Sequence, residues 1–161
     1  MPKVKANRVA VYVYRNGDNG IEFLQLHRSP GSGDYAGSWQ TIYGGIKSKE
    51  TAIEAAIREV KEETGLVPKE FYQVEYLESF YHRSRDRVTV LPVFAALMAR
   101  NAKITLDAEH DAFRWVTAAE VSTHFVWRVQ REAIDIIQRD IIGDSQAKKL
   151  LRIKVKDYLK K

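Results

Sequence analysis

The chain has 161 residues, 45% hydrophobic and 29% charged, a composition that suits one globular domain and argues against disorder. It has no cysteine, which excludes a disulfide framework, a zinc–thiolate site and cysteine nucleophiles. The net charge is +5, no apolar run has the length of a membrane span, and the first residues (MPKVKANRV) lack the apolar core of a signal peptide, so a cytoplasmic protein with no membrane partner is expected.

Residues 7–15 (NRVAVYVYR) are β-branched and aromatic with near-continuous apolar character, which predicts a buried strand. Asp18-Asn19-Gly20 is a turn signal and residues 21–28 (IEFLQLHR) alternate, so the two runs should form a hairpin. Residues 29–38 (SPGSGDYAGS) read as a Gly/Ser-rich loop ending at Trp39. A short strand at 40–43 then leads through Gly44 and Gly45 to a helix over 51–64. Residues 71–82 and 88–99 predict two long strands joined by 83–87 (RSRDR), and 113–116 (FRWV) predict a last short one. Residues 126–142 have the spacing of an amphipathic helix with Val129, Ala133, Ile136, Ile137 and Ile141 on one face. No repeat or linker divides this stretch, and the elements imply an α/β fold with helices packed on a mixed sheet.

From Asp144 onward the chain carries seven Lys/Arg against two Asp, which accounts for the whole net charge. The rest sums to zero, so the basic pI of about 9.4 belongs to the C-terminal segment and not to a body built to grip nucleic acid. The domain proper is placed at 1–142. Residues 143–161 are expected to be a basic helical extension, packed on the domain through Leu150, Ile153 (or Leu151) and Tyr158 or trailing from it; a phosphate- or RNA-binding arm is the alternative.

The informative stretch is TAIEAAIREVKEETGL, residues 51–66. Thr51 and Glu54 have capping-box spacing, and Gly65 is placed to stop the helix. At about 100° per residue, Ile53, Ile57 and Val60 form a narrow apolar stripe. Glu62 and Glu63 fall on the same face as Glu59, beside Ala52, Ala55 and Ala56, so open space is expected next to the carboxylates. Glu59 and Glu63 are a like-charge i,i+4 pair, costing roughly 0.2–0.5 kcal/mol. Glu62 and Glu63 also sit in the last turn, where the helix dipole disfavours anions by roughly 0.3–1 kcal/mol. A solvated acidic face is one reading; a hard-oxygen cage for Mg²⁺ is the other, since a bound cation turns the repulsion into attraction.

Gly44, Glu50 and Arg58-Glu59-Val60-Lys61-Glu62-Glu63-Thr64-Gly65-Leu66 fill every specified position of the pattern G-x5-E-x7-R-E-U-x-E-E-x-G-U, where U is apolar. The chain resembles the Nudix hydrolases over most of its length. The resemblance implies an α/β/α sandwich with a mixed sheet and hydrolysis, dependent on Mg²⁺ or Mn²⁺, of a nucleoside diphosphate linked to another group. Carried over, Glu59, Glu62 and Glu63 would ligate metal, the backbone carbonyl of Tyr43 would be a further ligand, and Arg58 and Glu50 would hold loop and helix in register. Two positions depart from the common pattern: Tyr43 where a glycine often precedes the first box glycine, and Lys49 where one often precedes the first glutamate.

A base must take a proton from the attacking water. Within the box Glu62 or Glu59 could serve, weakened by metal ligation; Glu109, in the segment EHDAFRWV, is a solvated loop acid on its own reading, but the resemblance implies a metal-binding or basic glutamate there. His110 reads as a supporting or surface residue. Arg28, at a strand end, is expected to contact phosphate or to be a surface charge. Trp39, Phe80 and Tyr81 could stack on a substrate ring, and Tyr43 stands beside them; core packing is the alternative for each. Arg83, Arg85 and Arg87 form a basic hairpin tip, solvated or a phosphate clamp. The segments SWQTIYG, EHDAFRW and Trp127-x-x-Gln130-Arg131 resemble the dihydroneopterin triphosphate / dATP pyrophosphohydrolase branch, although the second also resembles diadenosine polyphosphate hydrolases. The expected substrate is therefore a nucleoside triphosphate or a nucleotide-like triphosphate, handled by a monomer or homodimer. A dinucleoside polyphosphate or RNA 5′-end hydrolase is the alternative enzyme, and a non-catalytic nucleotide sensor is the alternative of another class, opposed by the intact carboxylates.

Overall fold

The computed structural model describes residues 1–159. Its centre is strand β2 (Arg8–Gly17), whose residues from Val9 to Tyr14 are all buried. Period-two alternation explains that run: Ala10, Tyr12 and Tyr14 enter one core cluster, whereas Val9, Val11 and Val13 enter the other, so both faces of the strand are covered. Around β2 lie β1 (Lys3–Lys5), β3 (Gly20–Arg28), β4 (Trp39–Gln40), β5 (Ile42–Gly45), β6 (Glu70–His82), β7 (Arg87–Leu97), β8 (His110–Thr117) and β9 (Arg152–Ile153). The main path is β4-β3-β2-β7-β6-β9, with β1 on β7, β5 on β2 and β8 on β3. Parallel β2–β7 and β1–β7 pairs among antiparallel ones make the sheet mixed, as expected.

Helix α1 (Ala52–Thr64) covers one face and α3 (Arg128–Ile137) the other, with the short α2 (Val121–His124) before α3. α1 starts and stops where its caps predict: Thr51 and Glu54 form a reciprocal capping box, and Gly65 takes the left-handed conformation at φ 72°. Its buried face differs from expectation. Ala55 and Ala56 are fully buried with Ile57 and Val60, so the alanines stand beneath the helix and let it lie close to the sheet, not beside open space. On α3 the fully buried stripe is Gln130, Ala133, Ile134 and Ile137, continued by Ile141, while Val129 and Ile136 are half-buried. The last turn, Gln138–Ile142, widens into a π-helix.

The C-terminal segment is not one helix. α4 (Ala147–Leu151) is a five-residue turn of helix, β9 pairs with β6 at Phe71 and Tyr72, and Val155–Asp157 forms a 3₁₀ turn. Leu151 packs on the α3-side core, whereas Ile153, Val155 and Tyr158 pack on the α1-side core. Leu150, expected to dock, is 88% exposed. Alternation of Ile153 and Val155 with lysines suits an extended strip, and the free edge of β6 supplies the hydrogen bonds that a helix would have had to make internally. The last two lysines of this segment lie outside the described residues.

Candidate active site

The turn from β5 into α1 carries the box. Arg58 is its hub: Nε donates to Glu50 Oε1 at 2.7 Å and Nη2 to Glu50 Oε2 at 2.9 Å, a bidentate pair. Nη2 also donates to the Gly45 carbonyl at 2.8 Å, while Nη1 reaches Glu59 at 2.7 Å and Glu62 at 3.0 Å. One guanidinium thus ties the loop to two of the three expected metal-binding carboxylates. Gly44 is required by contact: a Cβ there would stand 2.1 Å from Glu59 Cδ, so only glycine lets that side chain lie across β5. Lys49 adopts φ 67°, a left-handed conformation that explains why glycine is common at this position.

Glu63 is 4% exposed, and its Oε2 has no hydrogen-bond partner. Burial first, then the charges of Glu59, Asp107 and Glu109, push its pKa up to about 9. Burial also raises the Glu59 pKa, against the pull of Arg58. Glu62 is half-exposed, and Lys47 Nζ stands 3.7 Å from it. Glu109 lies just before β8, where a register shift at His27/Arg28 and the Ser29 N–H bond to the Glu109 carbonyl bring this loop beside α1. Glu59, Glu62, Glu63 and Glu109 then line one open groove of about 690 Å³ with Arg8 and Arg28.

Beside it lies a second cavity of about 340 Å³, which shares Arg8, Arg28 and Tyr43 with the groove. Phe80 lines it, as do Tyr35, Trp127 and Gln130. Tyr43 donates its hydroxyl to Glu78 Oε2 at 2.7 Å and accepts from Gln130 Nε2 at 3.1 Å, so its side chain is committed and only its backbone carbonyl is left for a metal role. Trp39 does not line either space: it packs against His27, ring centroids 5.0 Å apart, and under the Arg114 guanidinium at 4.1 Å. Its place in β4, opposite His27, turns it away from the cavity.

Sequence reasoning missed Arg8 and Asp107. Arg8 opens an otherwise buried apolar strand, and a charge in that position was the available signal. Asp107 Oδ1 accepts from His110 Nδ1 at 2.7 Å, and Glu63, Asp107 and His110 present ligand atoms within 4.8 Å of one another. His110 is buried, not a surface residue.

The model for the NUDIX domain matches residues 5–137. The chain belongs to the NUDIX family. Among curated relatives, the mouse bis(5′-nucleosyl)-tetraphosphatase [asymmetrical] is 33% identical over 105 residues, covering 62% of this chain and 67% of that protein. A Myxococcus xanthus protein called octanoyltransferase is 29% identical over 133 residues, 78% of this chain, which spans about a third (35%) of its length. The solved E. coli dihydroneopterin triphosphate pyrophosphohydrolase superposes with a TM-score of 0.67 at 21% identity, over 86% of this chain and 99% of that one. That likeness carries the sandwich fold. No helix among the described residues is long and apolar enough to cross a membrane.

Proposed function

We propose that this chain is a metal-dependent pyrophosphohydrolase that cleaves a nucleoside triphosphate, or a related triphosphate such as dihydroneopterin triphosphate, by water attack on a phosphoanhydride. The observation that carries the reading is Glu63: a buried carboxylate whose Oε2 has no partner, in a residue that lines a groove with Glu59, Glu62 and Glu109. A buried acid without a donor costs several kcal/mol, roughly, unless protonated or bound to a cation. The donor set is all hard oxygen, which fits Mg²⁺ or Mn²⁺. Glu59, Glu62 and Glu63 would hold the ion, with the Tyr43 carbonyl and Glu109 as further ligands. Bound there, a divalent ion would neutralise phosphate charge and lower the pKa of water.

The chain's own residues do the rest. Glu50 and Arg58 fix Glu59 and Glu62 against the β5 turn, so the carboxylates are set before substrate arrives. Arg28 and Arg8, shared by groove and cavity, meet the phosphate oxygens. Glu109 accepts the proton of the attacking water; the water oxygen bonds to phosphorus and the bridging P–O bond breaks to the leaving phosphate. Tyr43 and Phe80 border the cavity that receives the remainder of the substrate. The expected location is cytoplasmic, and the segment after residue 142 acts as a cover of the core.

A Mg²⁺-dependent hydrolysis screen tests this, across nucleotides, nucleotide sugars, dinucleoside polyphosphates and dihydroneopterin triphosphate, with products identified. Among these, triphosphates should give a higher kcat/KM than nucleotide sugars or dinucleoside polyphosphates. The mouse relative favours a second reading, a dinucleoside polyphosphate hydrolase, which predicts that those substrates lead instead.

A further inference from the structure

Three arginines converge on the 340 Å³ cavity without a carboxylate to pair with. Arg8, Arg28 and Arg87 all line it, and none forms an ion pair among the described residues. The acids nearby are already committed: Asp34 to Arg85 at 2.7 Å, and Glu59 to Arg58 at 2.7 Å. Arg28 Nε and Arg87 Nε are buried with no hydrogen-bond partner, and Arg28 Nη2 donates only to the Ser32 carbonyl. Arg8 is held below the usual arginine range by burial, then by the charges of Arg28 and Arg87. His82, on the same wall, is likewise lowered by burial and by Arg87 and Arg85.

Half-buried charge of one sign, with buried donors left over on Arg28 and Arg87, is costly unless a ligand of opposite sign completes it. Arg8 and Arg28 border the carboxylate groove, so a triphosphate chain held there accounts for them. It does not account for Arg87, which lines the cavity and not the groove. We propose that Arg87, with Arg8, forms an anion subsite for a further phosphate on the substrate, beyond the triphosphate chain that the groove and its bordering arginines receive. The preferred substrate is then more heavily phosphorylated than a plain nucleoside triphosphate. The extra phosphate either extends the chain or sits on the sugar, and both present the same oxyanions to a guanidinium. This rests on the hydrolase reading above for the place of the triphosphate chain, but the subsite itself is a property of the free protein.

Two measurements test it. In chelator, inorganic tripolyphosphate should raise the melting temperature of the wild-type protein, and its affinity should fall at least ~10-fold in Arg87→Gln and in Arg8→Gln. Arg83→Gln, on the exposed hairpin tip and outside the cavity, serves as the control and should bind as the wild type does. With Mg²⁺, kcat/KM is compared for GTP, guanosine 5′-tetraphosphate and guanosine 3′-diphosphate 5′-triphosphate. One of the latter two should exceed GTP, which tells chain from sugar, and Arg87→Gln should collapse that ratio by ~10-fold. Tripolyphosphate that leaves the wild type unmoved, or binds Arg87→Gln equally, or is lost as much in Arg83→Gln, overturns the subsite. Turnover of all three at equal rates, unaffected by Arg87→Gln, overturns it while leaving the hydrolase reading standing. Anion binding that needs Arg87 without turnover of any substrate has the opposite meaning: the subsite stands and the hydrolase reading falls.

Discussion

Glu63 and Glu78 both lie almost fully out of solvent, and they are treated in opposite ways. Glu78 of β6, 0% exposed, accepts from the Tyr12 hydroxyl on one oxygen and from the Tyr43 hydroxyl, at 2.7 Å, on the other. Glu63 of α1, 4% exposed, has an oxygen with nothing to accept from. Burial raises both pKa values, but the tyrosines pull that of Glu78 back, whereas the charges of Glu59, Asp107 and Glu109 drive that of Glu63 further up. The fold supplies its own donors where the carboxylate is architectural. Where it does not, it has assembled more negative charge, and only something from outside can settle the account.

The largest effect expected from this contrast is on turnover. Glu63→Gln should lower kcat/KM by at least ~100-fold, because the amide keeps the shape and loses the charge that a cation needs. The same change should raise the melting temperature in chelator. The neutral carboxyl of Glu63 stabilises the metal-free fold fully below the unfolded value near 4.5, and that contribution is lost as pH rises towards about 9. Metal-free wild type should therefore weaken across this window while Glu63→Gln weakens less, and saturating Mg²⁺ should flatten the wild-type slope. Thermal unfolding at a series of pH values checks it; parallel slopes in chelator would mean that Glu63 is solvated.

Glu109→Gln comes next, with a rate loss of about 100-fold, the usual scale for a missing base. Its half-saturating Mg²⁺ concentration should move far less than in Glu63→Gln, and the loss should shrink at high pH as hydroxide replaces the base. Full rescue by added Mg²⁺ would make Glu109 a ligand only. On the other side of the comparison, Glu78→Leu should cost about 2 kcal/mol or more of stability, since it leaves two buried hydroxyls without their acceptor. Chemical denaturation would read that directly, and a neutral result would mean that water or relaxation satisfies the tyrosines.

The difference between the two glutamates also marks what could be read from the chain. The box was legible because its residues are close in sequence and its spacing is dictated by one helix turn and one tight loop, so Glu50, Arg58, Glu59, Glu62 and Glu63 were found together. Strands β2 to β8 and both large helices followed from period and turn chemistry, whereas β1 and β9 did not. What escaped depends on long-range register. Glu78 and Tyr12 are 66 residues apart and meet only because β6, β7 and β2 are neighbours in the sheet. Asp107 reaches the groove on a loop whose path no local pattern specifies, and Arg8 reaches it because β2 pairs with β5, opposite Gly45. The alanine face of α1 misled for a related reason: helical angles place residues on a face but do not say which face the sheet will take. In the C-terminal segment, the spacing of Leu150, Ile153 (or Leu151) and Tyr158 among lysines suggests a helix, and the open edge of β6 decides otherwise.

Tyr43 belongs to both regions and gives the smallest but sharpest test. It lines the carboxylate groove next to Gly44, while its hydroxyl donates to Glu78 and accepts from Gln130. Tyr43→Phe removes only the second connection. Glu78 keeps Tyr12, but the buried Gln130 amide loses its acceptor as well, so two hydrogen bonds go and the expected cost is about 1–2 kcal/mol. The Glu78 carboxyl should become still harder to ionise, because one of the two donors that favour its charged form is gone. The backbone carbonyl is untouched by the change. If Tyr43 serves metal through that carbonyl alone, the Mg²⁺ concentration for half-maximal rate should stay within about twofold of the wild type, a difference of roughly 0.4 kcal/mol. A shift of tenfold would mean that the hydroxyl, anchored on Glu78, also sets where the carbonyl stands, and that the two glutamates are coupled through this residue.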